Sequence, residues 1–258
     1  AMPGFVAGHR HLCTSTLTEI GDRRLPDLSS AHASDIYKAM RLALLEALAT
    51  GITTLNHCAY DIGGEHAETA IVAQIDSGVR GCFSYPLGGP TWDGTPDHDT
   101  LRRLEREWFA SYGDHLLDLG LAVDDADDDT LAVPPSLSIT ADHAKKVTQQ
   151  EASLAARTLD AASALSLDHC IGSLSPGKCA DIILIAVPRW DSAPLVPQHG
   201  HDIVRNATAS DVLLVAVDGR LRKQNGVLTE PNEGLIRREG RDAIARLRDE
   251  ANWPAIDS

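Results

Sequence analysis

The sequence contains no apolar run of the length that a membrane-spanning helix needs. Its longest such run, Ile182–Val187, is far shorter than the ~18 residues required. The chain also does not open on a basic segment followed by an apolar one, which is the pattern of a secretory signal. We therefore expect a cytoplasmic protein that does not bind a membrane.

Positive charge is scarce in this chain. The 258 residues include 23 Lys and Arg against 37 Asp and Glu, which gives a formal net charge of −14. Binding to nucleic acid or to anionic lipid depends on clustered Lys and Arg, so the composition argues against both as partners. The hydrophobic content of 43% lies near the ordinary globular range. A small-molecule substrate is the partner class that remains.

Cysteine is also sparse, and the sequence has no C-x-x-C pair. The five cysteines are an odd number and are widely spaced. We expect most of them to be buried free thiols. They are Cys13, Cys58, Cys82, Cys170 and Cys179.

Strand-like and helix-like segments alternate over the first half of the chain. The apolar and β-branched stretches 4–11, 52–60 and 79–88 predict strands. Helical spacing of apolar residues predicts helices at 34–51, 65–78 and 99–113. Strands joined by single helices run parallel, because a crossover helix brings the next strand in with the same direction. The sequence therefore predicts an α/β fold with a parallel sheet.

An acidic block divides the chain. The segment 124–129 (DDADDD) places five carboxylates in six positions, and such a self-repelling run is typical of a solvated loop. Beyond it we expect a strand at 130–140 and a helix at 148–168. A small β element with tight turns at Asp218–Gly219 and Asn225–Gly226 follows. The tail is a charged amphipathic helix.

Two histidines, His9 and His11, follow the first apolar run with one residue between them. Alternate side chains of a strand point to the same face, so both imidazoles face one way and Arg10 faces the other. Two imidazoles on one face can bind one metal ion. They can equally remain as hydrogen-bonded polar groups, or act as acid and base residues. The residues alone leave these alternatives open.

Four stretches carry a resemblance to a known family. MPGFVAGHRH resembles the first barrel strand of the amidohydrolase superfamily, in its cyclic deaminase and chlorohydrolase branch, and LLEALATGITTL resembles the first helix and second strand. The stretch in which that family's chain re-enters its β-sandwich is resembled by LDHCIGSLSPGKCADIILI. The last hairpin of the sandwich is resembled by DVLLVAVDGRLRKQNGVL. The resemblance implies a (β/α)₈-type barrel with its active site at the carboxyl ends of the strands, and hydrolysis of a C–N bond.

The same resemblance implies a shortened barrel. Family members hold zinc or iron with the two histidines of the first strand, further histidines of the fifth and sixth strands, and an aspartate that ends the eighth. PSLSITAD resembles that eighth strand, with Thr140 at the aspartate position and Asp142 two residues on. One helix and the acidic block separate it from the third strand, so the fifth- and sixth-strand ligands have no candidates. The sandwich strands expected before residue 2 have no counterpart either.

We therefore expect a truncated TIM-barrel-like half-barrel over residues 1–175. Its strand order would be 8-1-2-3, since the eighth strand neighbours the first in a closed barrel. A small β-sandwich remnant would follow over residues 176–230, and a C-terminal helix over residues 231–258. The alternative is that the sequence omits an internal segment of a full-length family member.

A half-barrel of this kind would expose two parallel edges, at the third and eighth strands. Uncovered edges promote association. Two copies related by a two-fold axis could pair the third strand of one with the eighth strand of the other and close an eight-stranded barrel. We therefore expect a homodimer in which His9 and His11 of both copies face one cavity.

Two classes of function follow from the resemblance. In the first, the chain is an amidohydrolase-like enzyme with an incomplete or intersubunit metal site, in which His9 and His11 bind zinc or iron. Asp142, His57 and His143 are the candidate catalytic residues, although His57 also suits a core position and Asp142 a helix cap. In the second class hydrolysis is lost. The chain is then a metal-free isomerase, lyase or cyclase, or a binding protein without catalysis.

Overall fold

The computed structural model describes residues 1–13, 28, 31–60, 62, 66–86, 98–110, 116–122, 138–139, 153–186, 203 and 207–250. The chain divides into two compact units. The first unit comprises residues 1–8, 46–55 and 143–231, and the second comprises residues 9–45, 56–142 and 232–258. No helix among the described residues is both long and apolar enough to cross a bilayer.

The elements of the described residues alternate early in the chain and become mainly β later. In chain order the strands are β1 (Met2–Pro3), β2 (Phe5–Arg10), β3 (Ile52–Cys58), β4 (Arg80–Pro86), β5 (Leu117–Ala122), β6 (Ser138–Ile139), β7 (Ile182–Ile185), β8 (Val212–Val217), β9 (Arg220–Gln224) and β10 (Val227–Leu228). The helices are α1 (Ala33–Ala49), α2 (Ala67–Ser77), α3 (His98–Leu104), which continues as a π-helical turn over Glu105–Phe109, α4 (Leu159–Ala164) and α5 (Glu233–Glu250).

One sheet follows the chain in the order β2-β3-β4-β5-β6. Strands β4 and β5 are parallel, from Gly81 opposite Leu117 to Pro86 opposite Ala122, and β5 and β6 are parallel as well. The predicted order 8-1-2-3 is therefore wrong. Residues Ser138–Ile139, which resemble an eighth strand, pair with β5 at the opposite end of the sheet from β2.

The error comes from β5, which the sequence reading missed. Five of its six residues are buried and Asp118 alone is exposed, so the strand shows no alternation of apolar and polar residues. Strand β5 also covers the edge of β4 that was predicted to be exposed. The pairing of third and eighth strands between two copies is therefore wrong for this sheet, because β4 already has a neighbour on that side.

The second sheet has the order β1-β7-β8-β9-β10, and its neighbouring strands are all antiparallel. Its two hairpins turn at Asp218–Gly219 and Asn225–Gly226, where all four residues have positive φ between 51° and 80°. This is the backbone of a type I′ turn, which Asp-Gly and Asn-Gly favour. Both predicted turns are confirmed.

Lys223 of β9 links this sheet to the end of α1, inside the first unit. Its side chain is 4% exposed. The ammonium donates hydrogen bonds to the carbonyl oxygens of Ala49, at 2.8 Å, and of Ala209, at 2.7 Å. Ala49 is the last residue of α1, where a cation complements the helix dipole.

Two cysteines form a disulfide that the sequence reading did not predict. Cys170 and Cys179 are bonded, with their Cα atoms 5.3 Å apart, in a loop that contains Gly172 at φ 83° and Gly177 at φ 91°. Cys13, Cys58 and Cys82 are buried and form no disulfide, as predicted for most of the cysteines. A spacing of nine residues gives no C-x-x-C signal, so the loop conformation rather than the sequence pattern brings the pair together.

Helices α1 and α5 approach closely in the second unit. A Cβ atom added at Gly240 would lie 2.6 Å from Leu42 Cβ and 3.0 Å from the carbonyl oxygen of Lys38. Arg246 donates to both carboxylate oxygens of Asp35, at 3.1 and 2.6 Å. This hydrogen bonding holds the pKa of the Asp35 carboxyl below its usual value.

We expect the variant Gly240→Ala to unfold at a lower urea concentration than the wild-type protein. Overpacking costs about 1–3 kcal/mol, which exceeds the ~1 kcal/mol that alanine gains in a helix. Gly234→Ala is the matched control, because an added Cβ there meets nothing within 4 Å. That variant should keep or raise the midpoint, and equal midpoints for the two variants would contradict close packing at Gly240.

Candidate active site

His9 and His11 meet at the carboxyl end of β2. Both side chains are partly buried, and Arg10 between them is exposed. Their Nε2 atoms lie 3.1 Å apart, and the two rings meet edge to face with centroids 4.8 Å apart. The strand therefore brings the two predicted ligands together, with one nitrogen of each aimed at the other.

The second nitrogen of His11 is held by the end of β3. Its Nδ1 atom lies 2.8 Å from the carbonyl oxygen of Cys58. A carbonyl only accepts, so Nδ1 carries the proton and the neutral ring keeps its lone pair on Nε2. The ring of Tyr60 lies 6.0 Å from that of His11, and Tyr60 packs with Cys58 and Ala122 in a small buried cluster.

The second nitrogen of His9 meets a thiol. Its Nδ1 atom is 3.2 Å from Cys58 Sγ, which also accepts from Asn56 Nδ2 at 3.5 Å. Ser84 Oγ in turn donates to Asn56 Oδ1 at 2.6 Å. Asn56, Cys58 and Ser84 are all buried. We call the four side chains His9, Cys58, Asn56 and Ser84 the thiol relay.

Cys82 extends this line of contacts by one residue. Its Sγ atom lies 3.7 Å from Ser84 Oγ. Burial raises the pKa of the Cys82 thiol to about 12, so it is a neutral S–H group. Because Ser84 uses its own proton on Asn56, the Cys82 thiol is the donor to the serine oxygen.

The sequence reading missed Asn56, Cys58, Cys82 and Ser84. They occupy alternate positions of β3 and β4, so each pair shares one face of its strand. The available signal was a polar residue or thiol at every second position of two strand-like segments, at 56 and 58 and at 82 and 84.

Of the three predicted catalytic residues, the structure describes His57. Its side chain is fully buried, and strand alternation sets it on the opposite face of β3 from Asn56 and Cys58. The ring meets Phe83 edge to face, with centroids 5.7 Å apart. The structure therefore does not bring His57 to the histidine pair. Asp142 and His143 lie outside the described residues, as does Thr140.

Comparison with known proteins gives partial sequence matches and extensive structural ones. No protein-family model matches the chain. It is 33% identical over 105 residues to a 5′-deoxyadenosine deaminase of Methanobrevibacter smithii, covering 41% of this chain and 24% of that protein. It is 36% identical over 98 residues to a 5-methylthioadenosine/S-adenosylhomocysteine deaminase of Symbiobacterium thermophilum, covering 36% and 21%.

Two solved structures match nearly the whole chain in fold. An adenosine deaminase of Xanthomonas campestris with bound zinc aligns with a TM-score of 0.68 at 16% identity, covering 96% of this chain and 86% of that one. Atrazine chlorohydrolase of Arthrobacter aurescens, in complex with zinc, aligns at 0.62 and 13% identity, covering 94% and 88%. Together the matches indicate the amidohydrolase superfamily.

Each sequence match spans less than a quarter of the relative's own length. In this chain His9 and His11 lie at the carboxyl end of β2, the first strand of its sheet. At the low identities of the two solved structures, their likeness concerns the fold alone.

The histidine pair fits two ligand positions of a zinc site. Zinc–nitrogen bonds are about 2.0–2.1 Å long, so two imidazoles place their nitrogens about 3.3–3.4 Å apart at the tetrahedral angle and about 3.1–3.2 Å apart at an angle of about 100°. The observed separation of the Nε2 atoms is 3.1 Å. The hydrogen bond from His11 Nδ1 to a backbone carbonyl is the outer contact that metal-binding histidines usually make. Among the described residues, however, no three His, Cys, Asp or Glu side chains are grouped to hold a metal.

Proposed function

We propose that this chain hydrolyses a C–N bond of a small nitrogen-containing ring. The single observation that carries the proposal is the convergence of His9 Nε2 and His11 Nε2 at the carboxyl end of β2. The named activities of the sequence relatives support an adenosine-type nucleoside as the substrate class. In such a reaction the oxygen of water forms a bond to the ring carbon, the C–N bond breaks, and ammonia leaves.

His9 and His11 would hold a zinc or iron ion in this proposal. Such an ion, when bound, supplies Lewis acidity. The hydrogen bond between His11 Nδ1 and Cys58 O fixes the ring of His11 with its Nε2 lone pair toward the ion. Asp142 and His143 remain the candidates within one chain for the third ligand and for proton transfer, although the segment before them, Ser138–Ile139, pairs at the end of the sheet away from β2. His57, which packs against Phe83, takes no part.

A second copy of the chain is the other source of a third ligand. In that arrangement the enzyme is a homodimer and its metal site lies between two copies. Binding at a shared site makes dimerisation depend on the metal, because the ion stabilises only the form that contains the complete site. The oligomeric state with and without zinc therefore distinguishes the two sources.

The test combines metal analysis with an ammonia assay on one preparation. We expect protein purified with added zinc to retain about one ion for each chain, or for each pair of chains, and to release ammonia from 5′-deoxyadenosine or 5′-methylthioadenosine. Removal of the ion with a chelator should stop the release, and added zinc should restore it. Protein that retains no zinc or iron and releases no ammonia from either nucleoside would contradict the proposal. Sizing each sample in solution identifies the source of the third ligand.

A further inference from the structure

The thiol relay has a fixed direction of hydrogen bonding, which follows from the chemistry of its groups. Ser84 donates to the amide oxygen of Asn56 at 2.6 Å. The amide nitrogen of Asn56 therefore points to the other side, where it donates to Cys58 Sγ at 3.5 Å. An amide nitrogen has no lone pair to offer, so the sulfur is the acceptor in this contact. The thiol proton of Cys58 is then available to His9 Nδ1, 3.2 Å away.

The direction continues through both imidazoles. If Cys58 donates to His9 Nδ1, the neutral His9 ring carries its proton on Nε2. That proton points at His11 Nε2, 3.1 Å away, which has a lone pair because the proton of His11 is on Nδ1. Every donor from Ser84 to His11 thus faces an acceptor. Chains of this kind polarise one another and strengthen each contact.

The partners of the two histidines differ in one respect. The carbonyl oxygen of Cys58 can only accept, so it holds His11 with its proton on Nδ1. The thiol of Cys58 can donate through S–H or accept through sulfur, so it tolerates either tautomer of His9. A metal ion between the rings needs the Nε2 lone pairs of both. His11 already has its lone pair on Nε2, so only His9 has to change tautomer to present a lone pair there.

We infer that Cys58 is a positioning residue that lets His9 switch tautomer, whereas His11 is held in one form. Without metal, His9 carries its proton on Nε2 and donates it to His11. With metal, the same proton resides on Nδ1 and is donated to Cys58 Sγ, while the thiol hydrogen turns away. The proton moves from one nitrogen of His9 to the other, so neither ring nor thiol changes charge. This inference rests on the proposed function only for its metal-bound state.

Nitrogen NMR of the histidine rings tests the inference directly. In long-range proton–nitrogen spectra of the metal-free protein, we expect His9 to show a protonated Nε2 and an unprotonated Nδ1, and His11 to show the reverse. The variants His9→Asn and His11→Asn assign the signals. Zinc should move the Nδ1 signal of His9 from the unprotonated to the protonated region and leave His11 Nδ1 protonated. A protonated Nδ1 on His9 in the metal-free protein would overturn the inference.

Variants of Cys58 provide the second readout. Cys58→Ala removes the acceptor that His9 Nδ1 needs in the metal-bound form, so we expect zinc binding weakened by about 10–100-fold. The metal-free proton of His9 should stay on Nε2, because His11 Nε2 still accepts it. Cys58→Ser keeps a group that donates and accepts, and should restore most of the affinity. Cys13→Ala removes another buried thiol and measures the effect of losing packing volume alone. Zinc affinity in Cys58→Ala no lower than that in Cys13→Ala would also overturn the inference.

The outcomes separate this inference from the proposed function. Protein that binds no zinc but shows the expected metal-free tautomers would contradict the metal site and support the relay. Protein that binds zinc and releases ammonia, but has the proton of His9 on Nδ1 throughout, would support the proposed function and contradict the tautomer switch.

Discussion

The variant His11→Asn should have a zinc affinity more than about 100-fold lower than that of the wild-type protein. Loss of an outer contact to a metal ligand already lowers metal affinity by about 10–100-fold, and this variant loses the ligand itself. Asparagine is shorter than histidine and cannot place a lone pair where His11 Nε2 lies, 3.1 Å from His9 Nε2. It also leaves the carbonyl oxygen of Cys58 without the donor it has at 2.8 Å. Ammonia release should fall at least as far as zinc binding does.

The matched control for this variant is His169→Asn. His169 is exposed, and its Nδ1 atom contacts the carbonyl oxygen of Ser166 in its own loop. Its replacement should change neither zinc stoichiometry nor ammonia release. Wild-type zinc content in His11→Asn would show that the histidine pair is not the metal site. Equal losses in His11→Asn and His169→Asn would point to general unfolding, which circular dichroism detects.

Lys223→Met should lower the free energy of unfolding by about 2–3 kcal/mol, because hydrogen bonds from a charged group are worth about 1.5–3 kcal/mol each, less the cost of burying the charge. Methionine keeps the length and apolar stem of the side chain. It removes the donor that reaches Ala49 O at 2.8 Å and Ala209 O at 2.7 Å. Urea unfolding followed by circular dichroism measures the change.

Arg220→Met on the same strand is the control for that experiment. Arg220 is exposed, and replacements at exposed positions usually change stability by no more than about 0.5 kcal/mol. A loss of that small size in Lys223→Met would mean that water replaces the lysine at both carbonyls. A loss well above that of Arg220→Met would establish the buried ammonium as the link between β9 and the end of α1.

Features set by neighbouring residues could be predicted from the sequence. The turns at Asp218–Gly219 and Asn225–Gly226 depend on the positive φ that these residues tolerate, and Gly78 ends α2 with φ 67° for the same reason. The shared face of His9 and His11 follows from strand periodicity alone. These parts of the fold and site require no knowledge of distant residues.

Features that depend on distant segments could not be predicted in this way. Strand β5 is buried on both faces and lacks the alternation that marks a half-buried strand, so the order of the sheet was misread. The thiol relay needs Ser84 beside Asn56, and the neighbourhood of β3 and β4 decides that contact. The bond between Cys170 and Cys179 depends likewise on the course of a loop.

The pairing of β1 with β7 has a consequence for synthesis of the protein on the ribosome. Met2 pairs with Ile183, so β1 is synthesised about 180 residues before its partner strand. At about 5–20 residues per second, translation takes roughly 10–40 s to reach that partner. During this interval β1 has no strand of its own sheet to pair with. A chaperone that shields it should raise the yield of folded protein.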